Sequence, residues 1–136
     1  MSELDGADRH GSADAETVAG TAASLLTFEN APLPLGVILP VGRILMANRA
    51  MRSLLDYPLG ALAGLSLHDV VVADPDDLSR AWEDRVKNGE RVTPELRMHL
   101  RAANGSVIAV RAASVLVTDL NGAVRYVVGR ATPVRA

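Results

Sequence analysis

A chain of 136 residues, 49% of them hydrophobic, is long enough to bury one core and build one domain. Its 14 basic residues stand against 16 acidic ones, a net charge of −2, so no basic field exists to hold a phosphate backbone and nucleic acid is not an expected partner. The absence of cysteine excludes disulfides, thiolate metal sites, cysteine nucleophiles and cysteine-linked chromophores, and fits a reducing, cytoplasmic setting.

Residues 1–13 are small, acidic and glycine-containing, too poor in large apolar groups to offset the entropy of ordering them, and read as a mobile tail. They lack the basic-then-apolar order of a signal peptide. Over residues 14–29, Val18, Ala22, Leu25 and Leu26 recur at helical spacing behind a capping Asp14, which predicts an amphipathic leader helix. Pro32 and Pro34 stop it, and the core domain is expected over residues 30–134. Leu35–Leu39 and Arg43–Ala47 flank Pro40-Val41-Gly42 and predict a hairpin. Asn48 follows as an N-cap, with Met51, Leu54 and Leu55 on one helical face ahead of Pro58. Ser66-Leu67-His68-Asp69 has the form of a capping box.

Asp74-Pro75-Asp76-Asp77 carries an N-cap, a proline at the first helical position and carboxylates at the positive dipole end. Leu78, Ala81, Trp82 and Val86 form the stripe of this long helix, and Asn88-Gly89 ends it. Past Pro94 the period changes to two: Leu96, Met98 and Leu100 alternate with Glu95, Arg97, His99 and Arg101. Asn104-Gly105 and Asn121-Gly122 predict turns on either side of a long strand, Val107 to Thr118, with a last strand over Val124 to Ala131. The long strand is apolar on both parities, so both of its faces need cover. No apolar stretch reaches the ~18 residues of a membrane helix.

Two strands, several short helices and three longer antiparallel strands is the element order of PAS domains, and the residues agree with it. Gly42-Arg43-Ile44-Leu45-Met46-Ala47-Asn48 resembles the family's glycine turn, second strand and capping asparagine. Leu54-Leu55-Asp56-Tyr57 is similar to a stretch where the family commonly has glycine before the tyrosine; here Asp56 stands in that place. Gly64 to Val71, Pro75-Asp76-Asp77 with Trp82, and Asn104-Gly105-Ser106 follow in the family's order. The end, Gly129-Arg130-Ala131-Thr132-Pro133, departs from the aspartate-isoleucine-threonine that many members use to couple core to effector.

The resemblance implies an α+β fold: a five-stranded antiparallel sheet with short helices on one face and an N-terminal leader helix, with that helix or a second protomer expected to cover the other face. It implies a regulatory sensor, not an enzyme, that homodimerises and controls an attached or partner effector of a bacterial signalling protein. It also implies a pocket between sheet and helices, for which the candidate ligand-binding residues are Met46, Leu55, Val71, Leu78, Trp82 and Met98. Family members that bind haem generally use a histidine on the long helix, and the flavin photosensors need a cysteine; neither residue is available here, so no haem or flavin is expected. With only four aromatics against abundant leucine, valine and methionine, the expected ligand is aliphatic, such as a fatty acid. No catalytic or metal-binding set is assigned. The rival readings are a ligand-free dimerisation platform with a fully packed core, and a small lyase or isomerase that would bring His68 or His99 together with a carboxylate inside a pocket.

Overall fold

The computed structural model describes residues 23–73 and 75–134. Residues 23–30 are helical (α1); of the span 14–29 expected for the leader helix, residues 14–22 lie outside the described residues. The elements then run β1 (Leu35–Ile38), β2 (Ile44–Ala47), α2 (Arg49–Leu55), α3 (Leu67–Val70), α4 (Pro75–Lys87), β3 (Leu96–Arg101), β4 (Val107–Thr118) and β5 (Val124–Pro133). The five strands form one antiparallel sheet in the order β2-β1-β5-β4-β3. The last strand therefore sits at the centre, and α2, α3 and α4 fall within the crossover from one edge of the sheet to the other.

Local chemistry explains the boundaries. Asn48 Oδ1 accepts the Met51 amide at 3.0 Å and starts α2. The helix closes on Asp56, whose backbone is left-handed (φ 60°, ψ 38°), a conformation that favours glycine. Ser66 Oγ accepts the His68 amide at 3.2 Å, and Asp69 Oδ2 accepts the Ser66 amide at 3.1 Å, closing the expected box on α3. At the far end of α4 the Gly89 amide donates to Val86 O (3.0 Å) and the Glu90 amide to Arg85 O (2.8 Å), a Schellman turn that needs the positive φ of Gly89 (79°). The N-cap expected at Asp74 lies outside the described residues. In the β4–β5 turn Asp119 does the organising: its Oδ1 accepts the amides of Asn121 (2.8 Å) and Ala123 (3.0 Å).

The inner face of the sheet and the helices share one core that includes Ile44, Leu55, Leu67, Val70, Trp82, Leu100, Val110, Leu116 and Val127. Both sheet edges are partly capped by the chain itself, through Ile44 N to Leu65 O (2.8 Å) beside β2 and Val72 N to His99 O (3.0 Å) beside β3. The outer face is different. Val115 and Val117 are 47% and 40% exposed, and on α1 Leu25 and Leu26 are 47% and 62% exposed. Within the described chain the outer face keeps uncovered apolar surface.

One buried polar residue ties α1 to this core. Asn48, with no exposed surface, accepts the Leu35 amide (2.9 Å) and donates through Nδ2 to Phe28 O (3.0 Å), Leu33 O (2.9 Å) and Ala31 O (3.5 Å). Beside it the Arg52 guanidinium meets both Glu29 carboxylate oxygens, at 2.8 and 2.9 Å.

Candidate ligand-binding site

Between the inner sheet face and α2, α3 and α4 lies a partly enclosed cavity of about 180 Å³. Its walls are apolar side chains of the helices, among them Met51, Leu55, Leu67, Val70, Leu78 and Trp82. Its floor comes from small residues. In register across four strands stand Ala47, Gly36, Gly129 and Ser114, and all four border the cavity. Side chains of ordinary size in that row would occupy the space, so the void follows from the sequence of the strands as much as from the position of the helices.

The row continues into the segment after α4. The Thr93 amide donates to Ser114 O (2.9 Å), Thr93 Oγ1 accepts the Ser114 amide (2.8 Å), and the two hydroxyls lie 3.0 Å apart. Thr93 and Ser114 thus place paired hydroxyls at the cavity border. Arg85, the last member of the α4 stripe Leu78, Ala81, Trp82, Arg85, borders it too. Its Nη1 donates to Glu90 Oε2 at 3.3 Å.

Of the six sequence-selected residues, Leu55, Val71, Leu78, Trp82 and Met98 meet around this cavity. Met46 does not border it. A bulge in the β1–β2 ladder pairs Ile38 with Ile44 and Val37 with Met46, which puts Ile44 on the inner face and Met46 outside. Ala47, Gly36, Gly129, Ser114, Thr93 and Arg85 are the border residues that side-chain hydrophobicity did not select. His68 and His99 are exposed, on α3 and on the polar parity of β3, and neither borders the cavity. Among the described residues no cluster of histidine or carboxylate side chains has the makings of a metal site.

Among the described residues two carboxylates have shifted acidities. The Arg52 hydrogen bond holds Glu29 below its ordinary pKa, and Arg130 with Arg111 does the same for Glu95, which receives Arg130 Nη2 at 2.9 Å. Both lie outside the cavity border and serve structure.

The family model described as "PAS fold" matches residues 28–136. The chain belongs to the PAS family, whose domains are regulatory sensor modules, and its five-stranded sheet with helices is that fold. Solved structures agree. A PAS domain of an HTR-like protein from Haloarcula marismortui is 17% identical, with 90% of this chain and 99% of that one covered and a TM-score of 0.69. A domain of the sensory box sensor histidine kinase/response regulator from Geobacter sulfurreducens is 19% identical, with 83% and 93% covered and a TM-score of 0.63. The LOV protein of Rhodobacter sphaeroides is 18% identical, with 80% and 63% covered and a TM-score of 0.63. No curated protein matches the chain.

Proposed function

We propose that the domain is a cytoplasmic regulatory sensor that takes a small aliphatic ligand into its inner cavity, homodimerises through its outer sheet face, and passes the state of the cavity to an attached or partner signalling effector. The domain boundary of this reading is residues 30–134, with residues 14–29 as a leader helix. The observation that carries it is the apolar, partly enclosed cavity of about 180 Å³ between the inner sheet face and the helices. A domain serving only as a dimerisation platform has no use for a void there, since filling it would add stability.

The size of the cavity supports the choice of ligand. Pockets for drug-sized molecules run to roughly 300–1,000 Å³, and this one is smaller. A flat cofactor such as haem or flavin would need the helices to move apart, and Trp82 is the one aromatic of the chain at the border. A flexible alkyl chain needs no ring partner. The sensor histidine kinase origin of a structurally similar domain supports an effector-linked role, and the exposure of His68 and His99 away from the cavity favours regulation over catalysis.

Titration of medium-chain fatty acids against the fluorescence of Trp82, the only tryptophan, tests the reading directly. A saturable change with a rise in melting temperature is expected. A flat titration together with no thermal shift would reject it. Native mass spectrometry of the purified domain would report a co-purified ligand and the oligomeric state together.

A further inference from the structure

Resting on the ligand-binding reading, a specificity residue can be assigned to the cavity. The α4 stripe that faces it runs Leu78, Ala81, Trp82, Arg85, so three apolar residues are followed by a cation. Arg85 is not there to cap its helix in isolation. Its carbonyl receives the Glu90 amide in the Schellman turn, and its guanidinium donates to the Glu90 carboxylate, so one residue engages both ends of Arg85. The contact of 3.3 Å is longer than the 2.7–2.9 Å typical of a charge-assisted bond. With side-chain exposures of 32% and 49%, the pair is screened by water and contributes little.

Two hydroxyls that could serve an anion also border the cavity. Beyond the turn that follows Arg85 the chain reaches Thr93, which is bonded to Ser114. When the Thr93 hydroxyl donates across the 3.0 Å contact to Ser114 Oγ, the Ser114 hydroxyl proton is left for the cavity. Arg130 also borders the cavity, but its register with Leu35 and Ala113 places it on the outer face, and its Nη2 is bound to Glu95. Arg85 is the cation with a loosely held partner at this border.

We propose that Arg85 anchors the carboxylate of a free medium-chain monocarboxylic acid, and that Glu90 is the internal carboxylate the ligand displaces. The volume sets the chain length. A dry apolar cavity of about 150 Å³ accommodates benzene, so one of this size takes roughly six to eight chain carbons. Longer acids must leave methylenes in water and gain nothing from them.

Calorimetric titration of octanoate, dodecanoate and 1-octanol into the wild-type domain, Arg85→Gln, Arg85→Lys and Glu90→Gln tests the assignment. Octanoate should bind wild type about tenfold or more tighter than 1-octanol, the worth of a charge-assisted bond. Arg85→Gln should lose that preference while keeping 1-octanol affinity, Arg85→Lys should restore part of it, and Glu90→Gln should tighten octanoate alone. Dodecanoate should bind no tighter than octanoate. An acid preference unchanged in Arg85→Gln overturns the anchor while leaving the cavity reading intact; no binding of any of the three ligands to wild type overturns the cavity reading and the anchor with it. Affinity that climbs tenfold from octanoate to dodecanoate overturns the length limit. Should Arg85→Gln fail to fold by circular dichroism, Arg85→Lys and Glu90→Gln carry the test: octanoate affinity unchanged in both overturns the anchor.

Discussion

Gly36 and Gly129 face each other across the β1–β5 ladder, and both border the inner cavity. A methyl group added at Gly129 would lie 3.8 Å from Ile38 Cδ1, ordinary contact, and one at Gly36 would lie 3.7 Å from the Met46 carbonyl. Neither glycine is required by backbone conformation, since neither has a positive φ. The pair keeps the cavity open, at a cost in chain entropy.

Gly129→Ala should therefore stabilise the domain by about 0.4–1 kcal/mol, the usual gain where the native backbone suits alanine. The same methyl should weaken ligand uptake. Thermal unfolding with and without octanoate checks both parts: a higher melting temperature in the free protein with a smaller ligand-induced shift is expected. An unchanged ligand shift would mean the row of small residues does not hold the ligand.

Asp56 sets up a second stability test. Its left-handed backbone costs a non-glycine residue about 1–2 kcal/mol, while glycine there would lose about 0.5–1 kcal/mol more entropy on folding. Asp56→Gly should then gain about 0.5–1 kcal/mol in denaturant unfolding. A loss would show that the aspartate side chain compensates for its own backbone.

Asn48 is the joint between α1, β1 and α2. Asn48→Asp keeps the Oδ1 acceptor for Leu35 and Met51 but replaces the amide donor that serves the carbonyls of Phe28 and Leu33 with an oxygen. Buried and facing acceptors, that group should cost about 2–4 kcal/mol, more than the roughly 1 kcal/mol of a lost cap. Hydrogen exchange should show α1 loosening first. Uniform destabilisation with α1 protection intact would remove Asn48 as the joint.

Acid should act partly through the same region. Glu29 and Glu95 have pKa values lowered on folding from an ordinary 4.5, so the folded state binds fewer protons than the unfolded one and their contribution is present above that value. It is lost as pH falls through the lower folded pKa values. In Glu29→Gln the stability profile should be flatter below about pH 4.5, where chemical denaturation at stepped pH would reveal it. A profile parallel to wild type would show that Arg52 contributes nothing through this carboxylate.

Much of the fold was legible because its signals are local. The asparagine, serine and aspartate caps, the Asn88-Gly89 stop, the Asn104-Gly105 turn and the period-two stretch from Leu96 each act within a few residues. The order of the strands depends on contacts distant in sequence and came only through family resemblance. The helical walls of the cavity were legible as apolar stripes, but its floor was not: glycine, alanine and serine carry no periodic signal, and a glycine inside a strand shows only that something approaches closely. Met46 lies away from the cavity for a physical reason. Strict alternation from the inward Ile44 makes Met46 inward as well, and the bulge in the β1–β2 ladder turns it outward.

That bulge leads to the last prediction. It places Met46 on the outer face with Val37, which pairs in turn with Val128, and Val128 with Val115. Val117 and Tyr126 extend the row, and Val92 lies opposite Val115 at its far side. This row is exposed apolar surface on a chain whose net charge is only −2, with little to keep two copies apart, and Leu25 and Leu26 on α1 are exposed as well. A second copy laid face to face would cover both sheets, and a stable interface needs roughly 1,200–2,000 Å² in total. The expected species is therefore a homodimer. Val115→Glu puts a charge at the centre of that surface, where it would be buried twice across a two-fold axis, and should dissociate the dimer without unfolding the protomer, since residue 115 is exposed within it. Deleting residues 1–29 should lower the oligomeric state or the solubility by removing the helical part of the cover. Analytical ultracentrifugation of the three proteins decides the matter: if wild type sediments as a monomer, or if Val115→Glu and the deletion both remain soluble dimers, the outer face is not the dimer interface.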